Sequence, residues 1–392
     1  MRNILLGTTA LVAVAALAAP AMAAEKIQLE LRGYHIGGIT YTDGEFNDFW
    51  RNQYTGGHGS SSGISDYNEI NFGSDSEIHF RGATTLDNGL KVSFFAELEL
   101  EDNSDVDSDA DQIDEVYIQF DGGFGRFQFG QNDGAMYQMH VQAPTTFDGH
   151  KVNNNGPRLD PFAPLGWGSM ISTYGNFTDD HIKLSYFSPS FNGFQLGLSY
   201  TPNPCKNDTG YSSCVYDGFG RNYFEASATF EIAMDNVEFG FSAGIGGGES
   251  NTSGSEPTEW TAGAQAAFGG FTIGGSYKDS ETAGYSNWDE TQFDVGVTYE
   301  TGPWGFTINY ADMDRDYRDG AYRYNDEANA WLAGVTYMYG PGMQVGFGIQ
   351  TLDATDVMRD TEYTWDGSQW YSYTWGEGFE GTSFFIENSM SF

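Results

Sequence analysis

The sequence predicts an all-β chain that folds as an antiparallel transmembrane β-barrel of sixteen strands. Apolar and polar residues alternate along many segments, and short turns alternate with long polar loops. The chain has 30 Phe, 24 Tyr and 9 Trp, yet beyond its N-terminus it has no apolar run of helical length. Every second residue of a membrane strand faces lipid, so a barrel combines these features. A secreted β-sandwich or solenoid would also alternate, but it has no reason to sort its connections by length.

Residues 1–23 are predicted to be a cleaved signal peptide, which leaves residues 24–392 as the barrel domain. Arg2 supplies a positive start, residues 4–19 form an uncharged apolar core, and Ala-Met-Ala at 21–23 is a small-x-small cleavage site. The alternative is an anchoring helix. The short apolar run disfavours it, because a span needs about 20 residues.

Two cysteines, Cys205 and Cys214, flank a short loop rich in Asn, Asp, Gly and Ser. An exported chain passes through an oxidising compartment. A disulfide that closes this loop is therefore predicted, with two free thiols as the alternative.

Hairpins recur through the chain, each with a tight turn at one end. The clearest contains the Asn-Gly dipeptide at 88–89, a hairpin signal between two alternating segments. Short turns are predicted near residues 86–90, 121–125, 189–193, 234–236, 269–270, 301–303 and 339–342. Long loops are predicted near 41–70, 102–111, 132–178, 202–219, 247–257, 280–288, 312–327 and 353–380. Seven turns and eight loops make fifteen connections, and therefore sixteen strands.

The alternation also assigns faces. Phe, Leu, Ile, Val and Tyr are expected to face lipid, and the polar residues and Gly are expected to face the lumen. In the strand that ends the chain, Phe384, Ile386, Met390 and Phe392 share one phase. A closed barrel leaves no unpaired edge in lipid, and about 16–18 strands leave room for an aqueous channel.

The charge balance favours cationic partners. The chain has 55 acidic and 17 basic residues, which argues against nucleic acid and in favour of local cation enrichment. Aspartates at every second position, which resemble the start of a Ca²⁺ loop, predict possible Ca²⁺ or Mg²⁺ sites and no required cofactor. Solvated acids, or ion bridges to lipopolysaccharide, are the alternatives. The aspartates at every second position are Asp105, Asp107, Asp109 and Asp111, and Asp312, Asp314, Asp316 and Asp319 form a similar run.

Several segments resemble the trimeric general porins of the Gram-negative outer membrane, of the alphaproteobacterial type. They are SEIHFRG at 76–82, LDNGL at 86–90, ELE at 97–99, GGFGR at 122–126, SYFSP at 185–189 and GFQLGLSY at 193–200. They cover most of residues 70–200, and the terminal strand adds to them. The resemblance implies a homotrimer of sixteen-stranded barrels with long extracellular loops, short periplasmic turns and a third loop folded into the bore.

The resemblance further implies a constriction in which acids of the third loop, about residues 131–177, face basic residues of the opposite wall. This is the longest stretch without predicted structure, and its length alone suggests a functional loop. The acids are Asp133, Asp148 and Asp160, and the basic residues are Arg32, Arg81, Lys91, Arg126 and Lys183, with His79 nearby. Opposed charges set ion preference, although they could serve only to hold the loop. The Pro-Glu-Phe-Gly-Gly loop motif of enteric members is absent.

The expected function is a water-filled channel for passive diffusion of small hydrophilic solutes and ions, with a preference for cations. A substrate-specific channel, for example for sugars, is the main alternative, since Phe147, Phe162 and Trp167 could stack on sugar rings or pack the loop. An enzyme is disfavoured, because no histidine has a recognisable Ser-His or zinc-ligand setting. The histidines are His35, His58, His79, His140, His150 and His181. A non-conducting adhesin or structural barrel is a third alternative.

Overall fold

The computed structural model of the protein describes residues 26–46, 68–100, 113–153, 159–162, 171–175, 178–203, 221–249, 256–282, 287–319, 322–365 and 370–392. Its sixteen strands form one closed barrel in which chain neighbours pair antiparallel and β1 pairs with β16. The predicted fold and strand number are confirmed. The strands are β1 Gln28–Phe46, β2 Ile70–Thr85, β3 Lys91–Glu99, β4 Ile113–Gly122, β5 Gly125–Gln131, β6 Ile182–Phe187, β7 Phe194–Thr201, β8 Arg221–Met234, β9 Val237–Glu249, β10 Thr258–Phe268, β11 Phe271–Thr282, β12 Asn287–Thr301, β13 Trp304–Asp319, β14 Tyr322–Gly340, β15 Met343–Trp365 and β16 Trp370–Ser391. A helix of one turn, α1 (Ala135–Gln138), lies between β5 and β6.

The turn between β2 and β3 shows why the short connections form. Gly89 has a φ of 81°, in the left-handed region that favours glycine. Asn88 accepts a hydrogen bond through Oδ1 from the backbone N–H of Leu90 at 3.1 Å. The N–H of Leu86 donates to the carbonyl of Leu90 at 2.9 Å and closes the hairpin. The Asn-Gly signal in the sequence therefore predicts this turn correctly.

Three connections that the sequence predicts as long loops are largely strand. β13 and β14 pair as far as Asp319 and Tyr322, within the predicted loop 312–327. β15 and β16 pair as far as Trp365 and Trp370, and β11 and β12 also extend into their predicted loop. Alternation marks a strand only where one face is apolar. In the β13–β14 hairpin the charged residues Asp314, Arg315 and Asp316 occupy consecutive positions, so this sequence resembles that of a loop.

The outer face is apolar in the predicted phase. Phe384, Ile386, Met390 and Phe392 are all exposed on the outside of β16. Gly33 and Phe392 exchange two backbone hydrogen bonds of 3.0 Å, so the last residue helps to close the barrel. A Cβ on Gly33 would lie 2.8 Å from the Phe392 ring, which only glycine avoids.

The inner face of β13–β16 departs from the predicted polar lumen. Leu332 and Leu352 point inward and are 0% and 5% exposed. The third loop covers this wall, so apolar side chains face the inside of the barrel without contacting water. The buried cluster comprises Phe147, Val152, Phe162 and Ile171 of the loop with Ala311, Met313, Ala328, Ala330, Leu332, Leu352, Ala354, Phe379 and Phe385 of the wall.

Several predicted features lie outside the described residues and stay predictions. They are the signal peptide at 1–23, both cysteines, Cys205 and Cys214, and the acidic run Asp105, Asp107, Asp109 and Asp111. Among the residues that the structure describes, no helix is long and apolar enough to cross a membrane.

Candidate functional site: the narrowed bore

The third loop connects β5 to β6, and its described residues, 132–153, 159–162, 171–175 and 178–181, lie inside the barrel along the inner wall. Its backbone N–H groups donate to inward side chains of β7, β8, β9, β12, β13 and β16. The pairs are Ala135 to Ser199 (2.8 Å), Met136 to Glu225 (3.1 Å), Val141 to Ser242 (2.9 Å), Ala143 to Asp294 (2.8 Å), Thr146 to Thr307 (3.0 Å) and His150 to Glu387 (2.9 Å). We call the inner face of β7–β16 the covered wall and the inner face of β2–β4 the open wall.

Glu387 of β16 holds the middle of the loop. Its carboxylate accepts hydrogen bonds from the backbone N–H groups of Asp148 (2.9 Å), Gly149 (3.1 Å) and His150 (2.9 Å) and lies 2.7 Å from His150 Nδ1. The Glu387 and His150 side chains are 1% and 0% exposed. The His150 ring stacks on Phe385 with ring centres 3.8 Å apart. Charge-assisted hydrogen bonds are stronger than neutral ones, so this contact fixes the loop against the covered wall.

Two other buried acids hold the loop elsewhere, in addition to the backbone contacts given above. Asp294 of β12 accepts a hydrogen bond from the side-chain amide of Asn153 at 2.7 Å. Glu225 of β8 accepts one from the hydroxyl of Thr178 at 2.6 Å. Both acids are 3% exposed. A buried carboxylate is costly unless it is hydrogen-bonded, and the loop supplies those partners.

The aromatic residues considered for sugar stacking belong to the packing of the loop. Phe147 is 3% exposed and packs edge to face on Phe385 at 5.1 Å. A Cβ on Gly334 would lie 2.5 Å from the Phe147 ring, so glycine makes room for it. Phe162 is 1% exposed. Neither ring presents a face to a solute, and Trp167 lies outside the described residues.

A cavity of about 450 Å³ separates the loop from β1 and β2. Its lining includes Tyr137, Asp148 and Lys151 of the loop, with Tyr34 and Asp75 of the facing strands. The Asp148 carboxylate also accepts a hydrogen bond from the Ser389 hydroxyl. Of the three predicted loop acids, Asp148 is the one that lines this part of the bore. Lys151 is absent from the predicted set, because no periodicity marks an inward residue in an irregular loop.

The other two predicted loop acids occupy different surroundings. Asp160 is 5% exposed and accepts a hydrogen bond from the N–H of Phe162 at 2.9 Å. Asp133 lies at the start of the loop, where its N–H donates to Glu115 of β4 at 2.8 Å. Burial, reinforced by the Asp180 and Glu115 carboxylates, raises the pKa of Asp133 well above its usual range. Its carboxyl therefore keeps its proton to a higher pH than an exposed aspartate.

Three of the predicted basic residues are exposed. Arg32 pairs with Glu30 at 2.7 Å, and its side chain is 51% exposed. Arg126 pairs with Asp121 at 3.0 Å beside the β4–β5 turn. Lys91 is exposed at the start of β3, directly after a short turn. Exposed pairs of this kind are weakly held.

The other two predicted basic residues lie deeper. Lys183 has the inward phase that the sequence predicts, but the loop root covers it and leaves it 1% exposed. Its ammonium donates to the backbone carbonyls of Asn132 and Asp179. Arg81 lies on the open wall, with its guanidinium carbon 5.4 Å from the centre of the Phe95 ring. The structure therefore does not bring the five residues together as one basic wall opposite the loop acids.

The open wall is rich in acids. Glu77 lies directly opposite Glu99 in the ladder between β2 and β3, and His79 lies opposite Glu97. His79 Nε2 is 2.7 Å from the Glu77 carboxylate. The carboxylates of Glu77, Glu97 and Glu99 give the open wall a negative charge that Arg81 offsets only in part.

The three loop anchors, Glu225, Asp294 and Glu387, and the wall acids are not among the residues that the sequence predicts for the site. A usable signal exists for two of the anchors, Glu225 and Asp294: each is an inward acid with an apolar residue on both sides in the sequence. Asp294, for example, lies between Phe293 and Val295. An isolated carboxylate in such a strand needs a specific partner.

Residues 8–357 match the sequence model of a family described as Gram-negative porin. A comparison with curated protein sequences gives no match. Among solved structures, an anion-selective porin from Comamonas acidovorans matches 94% of this chain and 100% of its own, at 15% identity and a TM-score of 0.57. The outer membrane channel DcaP of Acinetobacter baumannii matches 94% of this chain and 98% of its own, at 12% identity and a TM-score of 0.59. OmpT of Vibrio cholerae in its trimer form matches 94% of this chain and 100% of its own, at 12% identity and a TM-score of 0.56.

Proposed function

We propose, on the premise that the chain belongs to the Gram-negative porin family, that it forms a water-filled channel for passive diffusion of small hydrophilic solutes and ions, with a preference for cations. The chain is a multi-pass β-barrel of the outer membrane, and its family and fold point to a channel rather than to an enzyme. The observation that carries the cation preference is the acidic open wall, where Glu77 faces Glu99 and Glu97 faces His79.

The cation preference originates in the aqueous part of the bore. Three buried acids of the covered wall, Glu225, Asp294 and Glu387, are engaged by the loop, whereas the open wall borders the remaining water-filled space. Fixed negative charge along such a space raises the local concentration of cations and lowers that of anions. The fold does not decide the sign, since the Comamonas neighbour is described as anion-selective.

General diffusion is favoured over a sugar-specific channel by the packing of the loop. Phe147 and Phe162, which could have stacked on sugar rings, are buried against the covered wall. Single-channel current in the presence of sugars of graded size tests this point. We expect the current to fall smoothly with solute size, and a block specific to one sugar would favour the alternative.

The cation preference is tested by the reversal potential of the purified protein in a planar bilayer under a KCl gradient. We expect the sign that corresponds to K⁺ permeating faster than Cl⁻. The preference should weaken at high salt, because screening shortens the reach of the wall charges. Anion selectivity would contradict the proposal, and a barrel that never conducts would favour an adhesin or structural role.

We propose that the barrels associate as a homotrimer. A Vibrio cholerae structure that shares the fold is described as a trimer form. On the outer face, His35 of β1 shares a hydrogen bond of 2.6 Å with Ser76 of β2, in the same phase as the exposed Leu31 and Ile39. Polar groups in hydrocarbon are costly, and packing against another subunit would shelter this pair. The largest product of chemical cross-linking should contain three subunits. A largest product of one or two subunits would contradict the proposal.

We also propose that outward acids near the loop end of the barrel hold Ca²⁺ or Mg²⁺ and bridge to lipopolysaccharide phosphates. Asp314 and Asp316 are exposed on β13. Below them, the Tyr310 hydroxyl donates to Asp312 at 2.7 Å, and tyrosines of this kind concentrate at membrane interfaces. Carboxylates bind such ions through oxygen. EDTA should lower the trimer melting temperature in lipopolysaccharide, and an unchanged value would count against the proposal.

A further inference from the structure

Three side chains of the open wall form a compact group that the cation preference alone does not require. Glu77 and His79 lie two residues apart on the inward face of β2, and Glu97 lies opposite His79 on β3. His79 Nε2 is 2.7 Å from Glu77 Oε2, and Nδ1 is 3.6 Å from Glu97 Oε1. One ligand atom from each residue lies within 4.8 Å of the other two.

The group is partly enclosed but remains open to the bore. Its three side chains are 15–17% exposed. The Tyr34 ring packs edge to face against the His79 ring, with centres 6.0 Å apart, and Tyr34 also lines the bore cavity. The imidazole is therefore held in place from one side, while water and ions reach the group from the lumen.

We propose that Glu77, His79 and Glu97 form a binding site for Zn²⁺ in the wall of the channel. Imidazole nitrogen combined with carboxylate oxygen suits zinc, whereas Ca²⁺ and Mg²⁺ prefer oxygen alone. Ligand atoms around a tetrahedral zinc at about 2.1 Å lie about 3.4 Å apart. Because Glu77 lies beside Nε2 and Glu97 beside Nδ1, and a zinc ion takes one imidazole nitrogen, one carboxylate must turn toward the nitrogen that binds the ion. Three protein ligands leave a fourth position for water from the bore.

The surrounding charges favour a bound cation. Glu77 lies directly opposite Glu99, and like charges in that position destabilise a sheet. Glu77, Glu99 and Asp114 also bring one oxygen each within 4.8 Å of one another. A divalent ion beside Glu77 reduces this repulsion. The positive charge of Arg81 on the same face disfavours a bound cation. The site should therefore bind zinc reversibly rather than retain it permanently.

The consequence for transport follows from the position of the site, and this step rests on the proposed channel function. A zinc ion held on the open wall neutralises the negative charge of its two carboxylate ligands, Glu77 and Glu97. Cations are then less concentrated beside the wall, and the water-filled space is narrower. Zinc should therefore reduce K⁺ current reversibly.

The test compares variants in planar bilayers, each relative to its own zinc-free current, while ZnCl₂ is titrated from micromolar to millimolar. The native chain should be blocked, and His79→Gln should raise the half-blocking concentration at least about tenfold, since a ligand is lost. His35→Gln is the matched control. Its side chain faces outward, Gln still offers Ser76 a hydrogen-bond partner, and the zinc block should persist. MgCl₂ should block the native chain much less than ZnCl₂.

A second measurement separates this proposal from the channel function. Equilibrium dialysis of ⁶⁵Zn with the folded barrel in detergent reports binding whether or not the protein conducts. Binding that depends on His79 in a barrel that does not conduct would refute the channel and leave the site standing. Zinc block or binding equal in His79→Gln and the native chain, or absent from both, overturns the site. Glu97→Gln replaces His79→Gln if that variant does not fold.

Discussion

The covered wall and the open wall have the same alternating sequence pattern, yet their inward acids differ in burial and in role. On the covered wall, Glu225, Asp294 and Glu387 are at most 3% exposed and bind the loop. On the open wall, Glu77 and Glu97 keep 15–17% of their side chains exposed. Facing the inside of a barrel is therefore not the same as facing water. An acid becomes part of the structure or part of the solute path according to whether the loop lies over it.

Removal of the Glu387 carboxylate should have the largest effect on the difference between the two walls, because it frees the loop from the covered wall. Glu387→Ala leaves three backbone N–H groups and the His150 ring without their acceptor. Loss of one partner of a buried charged contact costs about 3–5 kcal/mol. We expect the loop to detach, the single-channel conductance to rise and its noise to increase. Bilayer recordings and urea unfolding in lipid vesicles measure the two effects.

The matched control is Glu380→Ala, since this acid lies on the same strand but is exposed on the outer face. Its conductance should equal that of the native chain. If Glu387→Ala also conducts normally, without added noise, the loop does not depend on this anchor and the covered wall is held by its apolar cluster instead.

That apolar cluster is the target of the second prediction. Phe147 packs in the space that Gly334 leaves open, against Phe385. Phe147→Ala should lower the free energy of unfolding by about 3–5 kcal/mol, because a cavity replaces the ring. Since the acid anchors remain, ion selectivity should stay unchanged. Tyr137→Ala is the control, because Tyr137 lines the bore cavity and is not part of the buried cluster. A selectivity shift in Phe147→Ala would show that the core and the bore are not independent.

The sequence predicts the barrel far better than it predicts which inner wall the loop covers. The strand number depends on local signals, and Asn88 with Gly89 fixes a turn without help from the rest of the chain. Lys183 shows that the pattern predicts the direction of a side chain but not its burial. Its phase is inward, as predicted, but only the fold reveals that the loop root lies over it. Leu332 shows the same limit for apolar residues, because Trp331 and Ala333 beside it are apolar too and hide its phase.

The resemblance was informative about the loop and less so about charge. It directs attention to Arg32, Arg81 and Lys183 as a basic wall, whereas the structure separates them into exposed, half-buried and covered positions. The charge of the bore depends on a few inward positions of the barrel. Which of them face open water depends on the path of an irregular loop, and no periodicity in the sequence encodes that path.

The third prediction concerns the selectivity of the open wall. A unit charge about 6 Å from an ion in water changes its energy by about 0.7 kcal/mol, or its local concentration about threefold. Because the charge raises K⁺ and lowers Cl⁻ by the same factor, Glu99→Gln should reduce the permeability ratio of K⁺ to Cl⁻ by up to about tenfold, measured from reversal potentials. Glu327→Gln, an exposed acid on the outer face of β14, should leave the ratio unchanged. Equal shifts in both variants would mean that net charge, rather than the open wall, sets the preference.

The smallest effect is expected at Arg32, where the sequence predicts a member of the constriction. Arg32 pairs with Glu30 two residues away, and the two side chains are 51% and 55% exposed. An ion pair in such surroundings contributes less than about 1 kcal/mol, and water and salt screen its charge from the bore. Arg32→Ala should therefore change neither the unfolding midpoint nor the reversal potential measurably. Arg81→Ala is the informative partner, because Arg81 lies on the open wall and its removal should strengthen the cation preference. If Arg32→Ala shifts the reversal potential as much as Arg81→Ala does, solutes sense charge along the whole bore, and the division into a covered and an open wall loses its functional meaning.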